Sequence, residues 1–425
     1  MTGVKTAALN GMRVLDMTQY EAGTSATQML AWLGADIVKV ESPAGDPGRK
    51  VFTTGSDDSQ YFFNYNSNKR SIVLDLKQSR GRDLLLDLVP KFDVFVENFG
   101  PGVIERLDLG YDILRERNPA LIYVRIKGYG LSGPYSGWKC FDPLAQAASG
   151  AVSVTGHADG PPIKPGPTFA DTGTGMQTAL AITAAWVQRL QTGVGQEIEL
   201  SMQEVMTMFM RTTGVSYWAD EVVPRQGHSA GAPSGMYPCA PADVGSDGGP
   251  DGGSDGSNDY VHMLVATSRM WDQLCVVIGR EDLLVDPRFE TARARSENAE
   301  ALDTEIRAWT TQYTKHDAMR ILCDAGVAAS AIFDTMDVFH DPHLAERGFI
   351  ETVQHPAEGE ITLMKSPIRM SESEVPLEPA PIFGANTEEI LTGELGLSAE
   401  EVEALNASGV VHSRPGLAFE ASVEK

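Results

Sequence analysis

The clearest candidate for chemistry is a single acid, Asp171, in the segment PTFADTGTGMQTALAI at residues 167–182. An alanine-rich apolar run follows it and predicts a helix over 172–190. As the N-cap of that helix, the carboxylate would accept a backbone N–H and contribute about 1 kcal/mol. As an exposed carboxylate, ionised beside the positive end of the helix dipole, it would be a nucleophile toward an activated acyl group. The residues around Asp171 leave both roles open.

Basic and amide side chains form a second group of candidates, because the chain has a net charge of −24. Each one alone fits an ordinary surface residue. Brought together in the strand-end loops of an α/β sheet, they could hold a nucleotide phosphate group. The group consists of Asn68, Lys69, Arg70, Asn98, Arg106 and Lys139.

Two glycine-containing segments also allow a functional interpretation. Residues 128–133 match the GxGxxG pattern of dinucleotide-binding folds, but residues 134–137 continue as a loop where that pattern should open a helix. Nicotinamide and flavin binding are therefore not expected. The loop at 227–235 fits a plain connector, or a mobile lid whose backbone N–H groups approach a reacting carbonyl.

The elements that must position these residues follow an α/β pattern. From residue 11 to about 205, short β-rich runs alternate with helical patterns, which predicts a parallel sheet wrapped by helices. We expect a large α/β domain over 1–205, a linker over 206–260, a small α/β domain over 261–330, and a segment over 331–425 that returns to the large domain. An Asp/Gly-rich stretch at 243–259 lacks the Glu of an EF-hand and predicts a solvated insertion.

Composition and charge exclude several functions. The 425 residues are enough to form hydrophobic cores. The strong negative charge argues against nucleic acid and anionic membrane as partners. The cysteines show no CxxC pair, so we expect no zinc or other metal site and four free thiols in a reducing cytoplasm; they are Cys140, Cys239, Cys275 and Cys323. No signal peptide or spanning segment is evident, which indicates a cytoplasmic protein.

Several segments together resemble the class III CoA-transferase family, which includes formyl-CoA transferase and carnitine CoA-transferase and is related to α-methylacyl-CoA racemase. They run in family order over nearly the whole chain. The segments are VLDMTQYEAGTSATQMLAWLGADIVKVE, NSNKRSIVLDL, VENFGPGVIERLDLGY, KGYGLSGPYSGWKCFDPLAQAASGAVSVTG, ADTGTGMQ and DPHLAERGF. The resemblance implies a large Rossmann-like domain, a second, smaller α/β domain, and two subunits interlocked as rings.

The resemblance also implies that Asp171 is the nucleophile and that capping is secondary. The carboxylate would attack an acyl-CoA thioester, giving a mixed anhydride and free CoA thiolate. The thiolate would return to form an aspartyl-CoA thioester, from which an acceptor acid takes CoA. Coenzyme A and acyl-CoA are then substrates, and no permanently bound cofactor is expected.

Further site residues follow from the resemblance. Beside Asp171, the expected catalytic set contains Glu21, Asp142 and Gly231, the last within the loop at 227–235, which aligns with the glycine-rich lid of the family. CoA would be held by Gln19, Tyr20, Ala22, Leu74, Asn98, Phe99, Arg106 and Lys139.

Two positions depart from the family pattern. Glu21 stands where formyl-CoA transferase has a Gln that donates to the acyl intermediate, which an ionised Glu21 could not do. Glu21 is therefore protonated, contacts another group, or indicates a different substrate. Ser42 replaces an Arg expected near the nucleotide, although Arg49 is close in sequence.

Phe141 separates the branches of the family. Racemases use a His at this position as an acid/base group, and phenylalanine cannot carry a proton, so transfer is the main interpretation. The alternatives are a racemase or epimerase, and a non-catalytic CoA-binding subunit of a heteromer. A homodimer or a heteromer with a related subunit is expected. The acyl donor and acceptor stay open among succinyl-CoA, oxalate, carnitine, mesaconate and aromatic acids.

Overall fold

The computed structural model describes residues 6–53, 58–213, 221–225, 227, 231, 233–241 and 258–413. The chain forms two compact units. The first takes residues up to 153, 163–223 and the chain from 349 onward, and the second takes 154–162 and 224–348. The Asp/Gly-rich stretch at 243–259 lies almost entirely outside the described residues. The functional assignment of the predicted ranges stays a prediction, as does the interlocked dimer.

The strands are short and rich in β-branched residues. In chain order they are β1 (Arg13–Asp16), β2 (Asp36–Glu41), β3 (Arg70–Leu74), β4 (Val94–Glu97), β5 (Ile122–Lys127), β6 (Gln196–Ser201), β7 (Gly235–Pro238), β8 (Tyr260–Leu264), β9 (Ala328–Ala331), β10 (Ile350–His355), β11 (Gly359–Met364) and β12 (Val411–His412).

The helices are numbered in the same way. They are α1 (Ala22–Ala31), α2 (Gln60–Asn66), α3 (Ser79–Leu88), α4 (Val103–Arg106), α5 (Tyr111–Arg117), α6 (Asp142–Ala148), α7 (Ala151–Val154), α8 (Phe169–Thr192), α9 (Met202–Phe209), α10 (Ser268–Val277), α11 (Ala292–Glu297), α12 (Ala299–Thr310), α13 (Lys315–Asp324), α14 (Thr335–His340), α15 (Pro342–Glu346), α16 (Thr387–Leu395) and α17 (Ala399–Ala407). Short 3-10 turns cover Pro47–Lys50, Val89–Lys91 and Glu281–Leu284. No helix among the described residues is long and apolar enough to cross a membrane.

The first unit is built on a seven-stranded sheet with the order β12-β3-β2-β1-β4-β5-β6. Neighbouring strands are parallel from β3 to β6, and β12 pairs antiparallel with β3 at one edge. This is the strand order of doubly wound, Rossmann-like sheets, and it confirms the predicted parallel α/β sheet. The chain leaves β1 toward one edge and β4 toward the other, so the space between their carboxyl ends is the switch point where such folds bind ligands.

Apolar side chains alternate between the two faces of this sheet. Along β4, Val94 and Val96 pack with residues of α1 and α8 in one core, whereas Phe95 packs with residues of α3 and α16 in another. A strand buried on both faces reads as the near-continuous apolar run seen in the sequence.

Helices α1 and α8 pack closely on one face, and glycine makes this approach possible. A Cβ added to Gly175 of α8 would lie 2.1 Å from Ser25 Oγ and 3.1 Å from the Ala22 carbonyl oxygen. The N-terminal turns of the two helices are therefore neighbours, which places Glu21, just before α1, beside the start of α8.

The second unit has its own core. Strands β7, β8 and β9 form an antiparallel sheet, and helices α10, α12 and α13 pack against it. Buried Trp271 and Trp309 contribute large apolar surfaces to this core. In the first unit, β10 and β11 form a separate antiparallel hairpin.

Candidate active site

A cavity of about 330 Å³ opens at the switch point of the large sheet. Its wall is formed by the segments that follow β1, β4 and β5, together with the start of α8. The lining residues are Gln19, Tyr20, Glu21, Ala22, Asn98, Phe99, Gly100, Pro101, Ile126, Lys127, Gly128, Ser136, Trp138, Lys139, Cys140, Phe141, Asp171 and Met202. The cavity thus brings together Asp171, Glu21 and six of the eight predicted CoA contacts.

Asp171 is not the N-cap of α8. The helix begins at Phe169, its N-cap is Thr168, and Asp171 is the third residue of the first turn. The sequence pattern placed the start of the helix too late because small residues and threonines on either side of the acid resemble a loop. Inside the first turn, Asp171 points its carboxyl toward the cavity, which it lines.

Asp142 performs the capping that the acid at 171 does not. Its Oδ1 accepts the backbone N–H groups of Ala170 at 2.9 Å and of Asp171 at 3.2 Å. Its Oδ2 accepts from Gln146 Nε2 at 2.6 Å. Asp142 is 3% exposed and does not line the cavity. It therefore fixes the backbone of the helix turn that carries Asp171, and an acidic side chain suits a helix N-terminus.

The electrostatics of Asp171 differ from the expected ionised carboxylate. Burial, followed in order of importance by the nearby carboxyls of Glu21 and Asp142, raises the pKa of Asp171 to about 8. The helix dipole favours the charged form, but desolvation and two like charges outweigh it. At neutral pH the free site therefore holds Asp171 mainly protonated.

Of the three alternatives given above for Glu21, contact with another group is the one that the structure shows directly. Its Oε1 accepts from the hydroxyls of Thr168 and Thr172, the second at 2.8 Å. The Tyr65 hydroxyl also hydrogen-bonds to the Glu21 carboxyl. Burial raises the pKa of Glu21, while these three hydroxyls act in the opposite direction.

The loop between β1 and α1 is held by side chains from neighbouring segments. Asn98 Oδ1 accepts the backbone N–H of Gln19 at 2.9 Å, and Asn98 Nδ2 donates to the carbonyl oxygen of Gln19 at 2.8 Å. Tyr20 has a φ of 59°, and its backbone N–H donates to Asp46, which is paired with Lys39 at 2.7 Å. A tyrosine in the left-handed region persists only where its surroundings impose it.

Besides Asp142, two predicted site residues of the first unit do not line the cavity. Leu74 is fully buried at the end of β3, and Arg106 is an exposed residue at the end of α4. Gly231 belongs to the second unit, with a φ of 96°. Several residues of the loop at 227–235 lie outside the described residues, so its role as a lid stays a prediction.

Arg49 does not replace the missing Arg at position 42. It is 4% exposed, forms ion pairs with Glu41 and Asp58, and stacks over Phe62 at 3.7 Å. The Arg49 guanidinium therefore stabilises the local structure around its 3-10 turn. It is not available to bind a phosphate.

The sequence did not single out several residues of this site. Thr168, Thr172 and Tyr65 bind Glu21, and Met202 and Trp138 line the cavity. Threonines before and within a helix start are common capping residues, so nothing in the pattern separated them from ordinary caps. No group of three or more potential metal ligands occurs within the described part of the chain.

Comparisons with known proteins agree with this geometry. The sequence profile of CoA-transferase family III matches residues 9–387. The chain is 38% identical to the formyl-CoA:oxalate CoA-transferase of Streptomyces coelicolor, over 95% of this chain and 99% of that protein. It is also 38% identical to the formyl-CoA:oxalate CoA-transferase of Streptomyces avermitilis, over 96% of this chain and 100% of that protein.

A solved structure gives the same result for the fold. The crystal structure of a CAIB/BAIF family protein from Brucella suis superposes with a TM-score of 0.80 at 30% sequence identity, covering 92% of this chain and 100% of that one. With a cavity at the switch point and a family match over most of its length, the chain belongs to CoA-transferase family III and is an acyl-CoA:carboxylate CoA-transferase.

Proposed function

We propose that this enzyme transfers CoA through covalent intermediates on Asp171. The ionised carboxylate attacks the thioester carbonyl, the C–S bond breaks, and CoA leaves as a thiolate. The thiolate attacks the Asp171 carbonyl of the mixed anhydride, which releases the donor acid and leaves an aspartyl-CoA thioester. The acceptor carboxylate repeats the two steps in reverse and leaves as acyl-CoA, with Asp171 regenerated.

The observation that carries the proposal is the place of Asp171 in the cavity. It lies at the switch point of the sheet with Gln19, Asn98 and Lys139, which the family resemblance assigns to CoA. Lys139 is exposed at the cavity wall, and a lysine there suits a phosphate or carboxylate. An inactive subunit would have no need to retain a carboxyl with this placement.

Formyl-CoA and oxalate are the proposed donor and acceptor. The support is the activity for which the two Streptomyces relatives are named, each matched over nearly the full length of both chains. The cavity wall includes Phe141 in place of a proton-carrying His, which disfavours a racemase.

A homodimer is the proposed assembly. Four large apolar side chains are half or more exposed along one face of α8, namely Met176 (56%), Leu180 (63%), Val187 (50%) and Leu190 (67%). Their spacing of four, seven and three residues is that of a helix stripe made for a partner. Light scattering on the purified protein should give about twice the chain mass of 45.8 kDa.

The test of the mechanism is covalent trapping. Purified enzyme is incubated with formyl-CoA, succinyl-CoA and larger acyl-CoAs, treated with neutral hydroxylamine, and analysed by peptide mass spectrometry. A hydroxamate on Asp171, absent in Asp171→Asn, is expected with formyl-CoA. CoA binding without any adduct would contradict the covalent route. Deuterium incorporation at Cα of a branched acyl-CoA, without transfer, would instead identify a racemase.

A further inference from the structure

We propose that Glu21 is a positioning residue, which holds the first turn of α8 and so orients Asp171 through the hydroxyls of Thr168 and Thr172. This inference rests on the proposed role of Asp171 as the nucleophile. It assigns Glu21 a task different from the one that the family resemblance implies for this position, where a Gln would donate to the acyl intermediate.

The two threonines, Thr168 and Thr172, come before and after Asp171 in the sequence. Thr168 is the N-cap of α8, and Thr172 follows one turn later, so both lie on the same side of the helix. Glu21 Oε1 accepts from both hydroxyls. One carboxylate oxygen therefore spans the turn that carries Asp171, and Glu21 itself is fixed at the N-cap position of α1.

A third hydroxyl completes the contacts of Glu21. Tyr65, on α2, hydrogen-bonds to Glu21, and burial together with the Glu21 charge raises the pKa of the Tyr65 hydroxyl, so this group stays a donor. Glu21 is 2% exposed. A buried carboxylate needs donors, and here they come from two helices other than its own.

The three hydroxyls that hydrogen-bond to Glu21 argue against a direct role in the reaction. The attack on a thioester places negative charge on the carbonyl oxygen, and that charge requires donors. An ionised Glu21 is acceptor-only and would repel it. Held by hydroxyls, however, Glu21 places Asp171 within the cavity at a fixed orientation, which is the contribution that a reacting group needs from its neighbours.

The experiment compares two ways of breaking the same contact. One variant is Glu21→Ala, the second is the shape-preserving pair Thr168→Val and Thr172→Val, and the third combines all three changes. Thr183→Val is the matched control, because Thr183 lies in α8 and bonds only to the Ala179 carbonyl among the contacts described for it. Amide hydrogen exchange is followed over residues 168–175. Single-turnover acylation of Asp171 is measured against acyl-CoA concentration at pH 9.5, above the Asp171 pKa of about 8, so that loss of the Glu21 carboxyl does not change the rate through the ionised fraction of Asp171.

We expect exchange in the first turn of α8 to speed up about tenfold in each of the first two variants, with the rest of the helix unchanged. The maximal acylation rate should fall about tenfold, while the acyl-CoA concentration giving half-maximal rate stays within about twofold. The combined variant should be no worse than either, because all three changes remove one contact. The Thr183→Val control should match the wild type.

Two results would overturn the inference. One is unchanged exchange over residues 168–175 in Glu21→Ala. The other is a slow Glu21→Ala beside a fully active threonine pair, which would mean that Glu21 acts on the reacting atoms. If the wild type is not acylated by any donor, the proposed mechanism fails, and hydrogen exchange still decides whether Glu21 holds the helix start.

Discussion

The rate of Asp171 acylation in the free enzyme should rise about tenfold between pH 7 and pH 9. With a pKa of about 8, roughly one Asp171 in eleven is ionised at pH 7 and about ten in eleven at pH 9. Only the carboxylate attacks the thioester, so the rate follows the ionised fraction. An ordinary aspartate, with its pKa near 4, would give a flat profile over this range.

The raised pKa of Asp171 has several causes, and substitutions can remove some of them one at a time. Burial is the largest, and it is followed by the charges of Glu21 and then Asp142. Glu21→Gln keeps the shape and cannot carry a negative charge, so the midpoint of the profile should fall. Asp142→Asn should lower it by less. The groups facing Asp171 also include the Cys140 thiol, whose pKa is raised by burial, so Cys140→Ser is the control for a titrating thiol.

The assay is single-turnover acylation at limiting acyl-CoA, with hydroxamate formation as the readout, from pH 5.5 to 9.5 at constant ionic strength. Under these conditions the profile reports the free enzyme. Asp171→Asn gives the background, and Cys140→Ser should superpose on the wild type. A wild-type rate that is flat from pH 6 to 9 would refute the argument, because Asp171 would then be ionised despite its burial and its two acidic neighbours.

Three further changes test the same structure. Asp171→Asn should raise the melting temperature at pH 9 and leave it unchanged at pH 3. The charged form of Asp171 is disfavoured only in the folded state, so its cost to folding stability grows as pH rises toward the folded pKa of about 8. Thermal unfolding followed by circular dichroism measures this difference. Asn98→Ala removes both bonds to the Gln19 backbone and should lower kcat/KM about tenfold or more, measured by steady-state transfer, with Asn98→Asp no better because it lacks the donor. Gly175→Ala should cost about 1–3 kcal/mol of stability in urea unfolding, because its Cβ would collide with Ser25, and a fully stable variant would contradict the packing of α1 on α8.

The sequence predicted the strands of the large sheet and the helix that carries Asp171, because these elements have strong periodicity. It did not predict β12, whose two residues, Val411 and His412, carry no pattern and are ordered by pairing with β3. Nor did it place the start of α8, since the signal for a cap is local and Asp171, which follows Phe169, matches it as well as Thr168 does.

The family resemblance predicted which residues meet at the site, but it did not predict several of the contacts between them. The meeting of Glu21 with Thr168 joins positions 147 residues apart, and no local pattern reports such a contact. The same holds for Asp142, which accepts the Asp171 N–H across 29 residues. The predicted direction of the Asp171 pKa shift was wrong, because the sequence indicates the helix dipole but not the burial that outweighs it.

The gathering of three carboxyls has a consequence for the covalent route. Folding places Asp171 where its negative charge is disfavoured by burial, Glu21 and Asp142. In the proposed covalent route, acylation replaces that charge with a neutral anhydride or thioester, so the repulsion disappears when the intermediate forms. The environment that lowers the ionised fraction of the free nucleophile therefore also favours the acylated state over the free carboxylate.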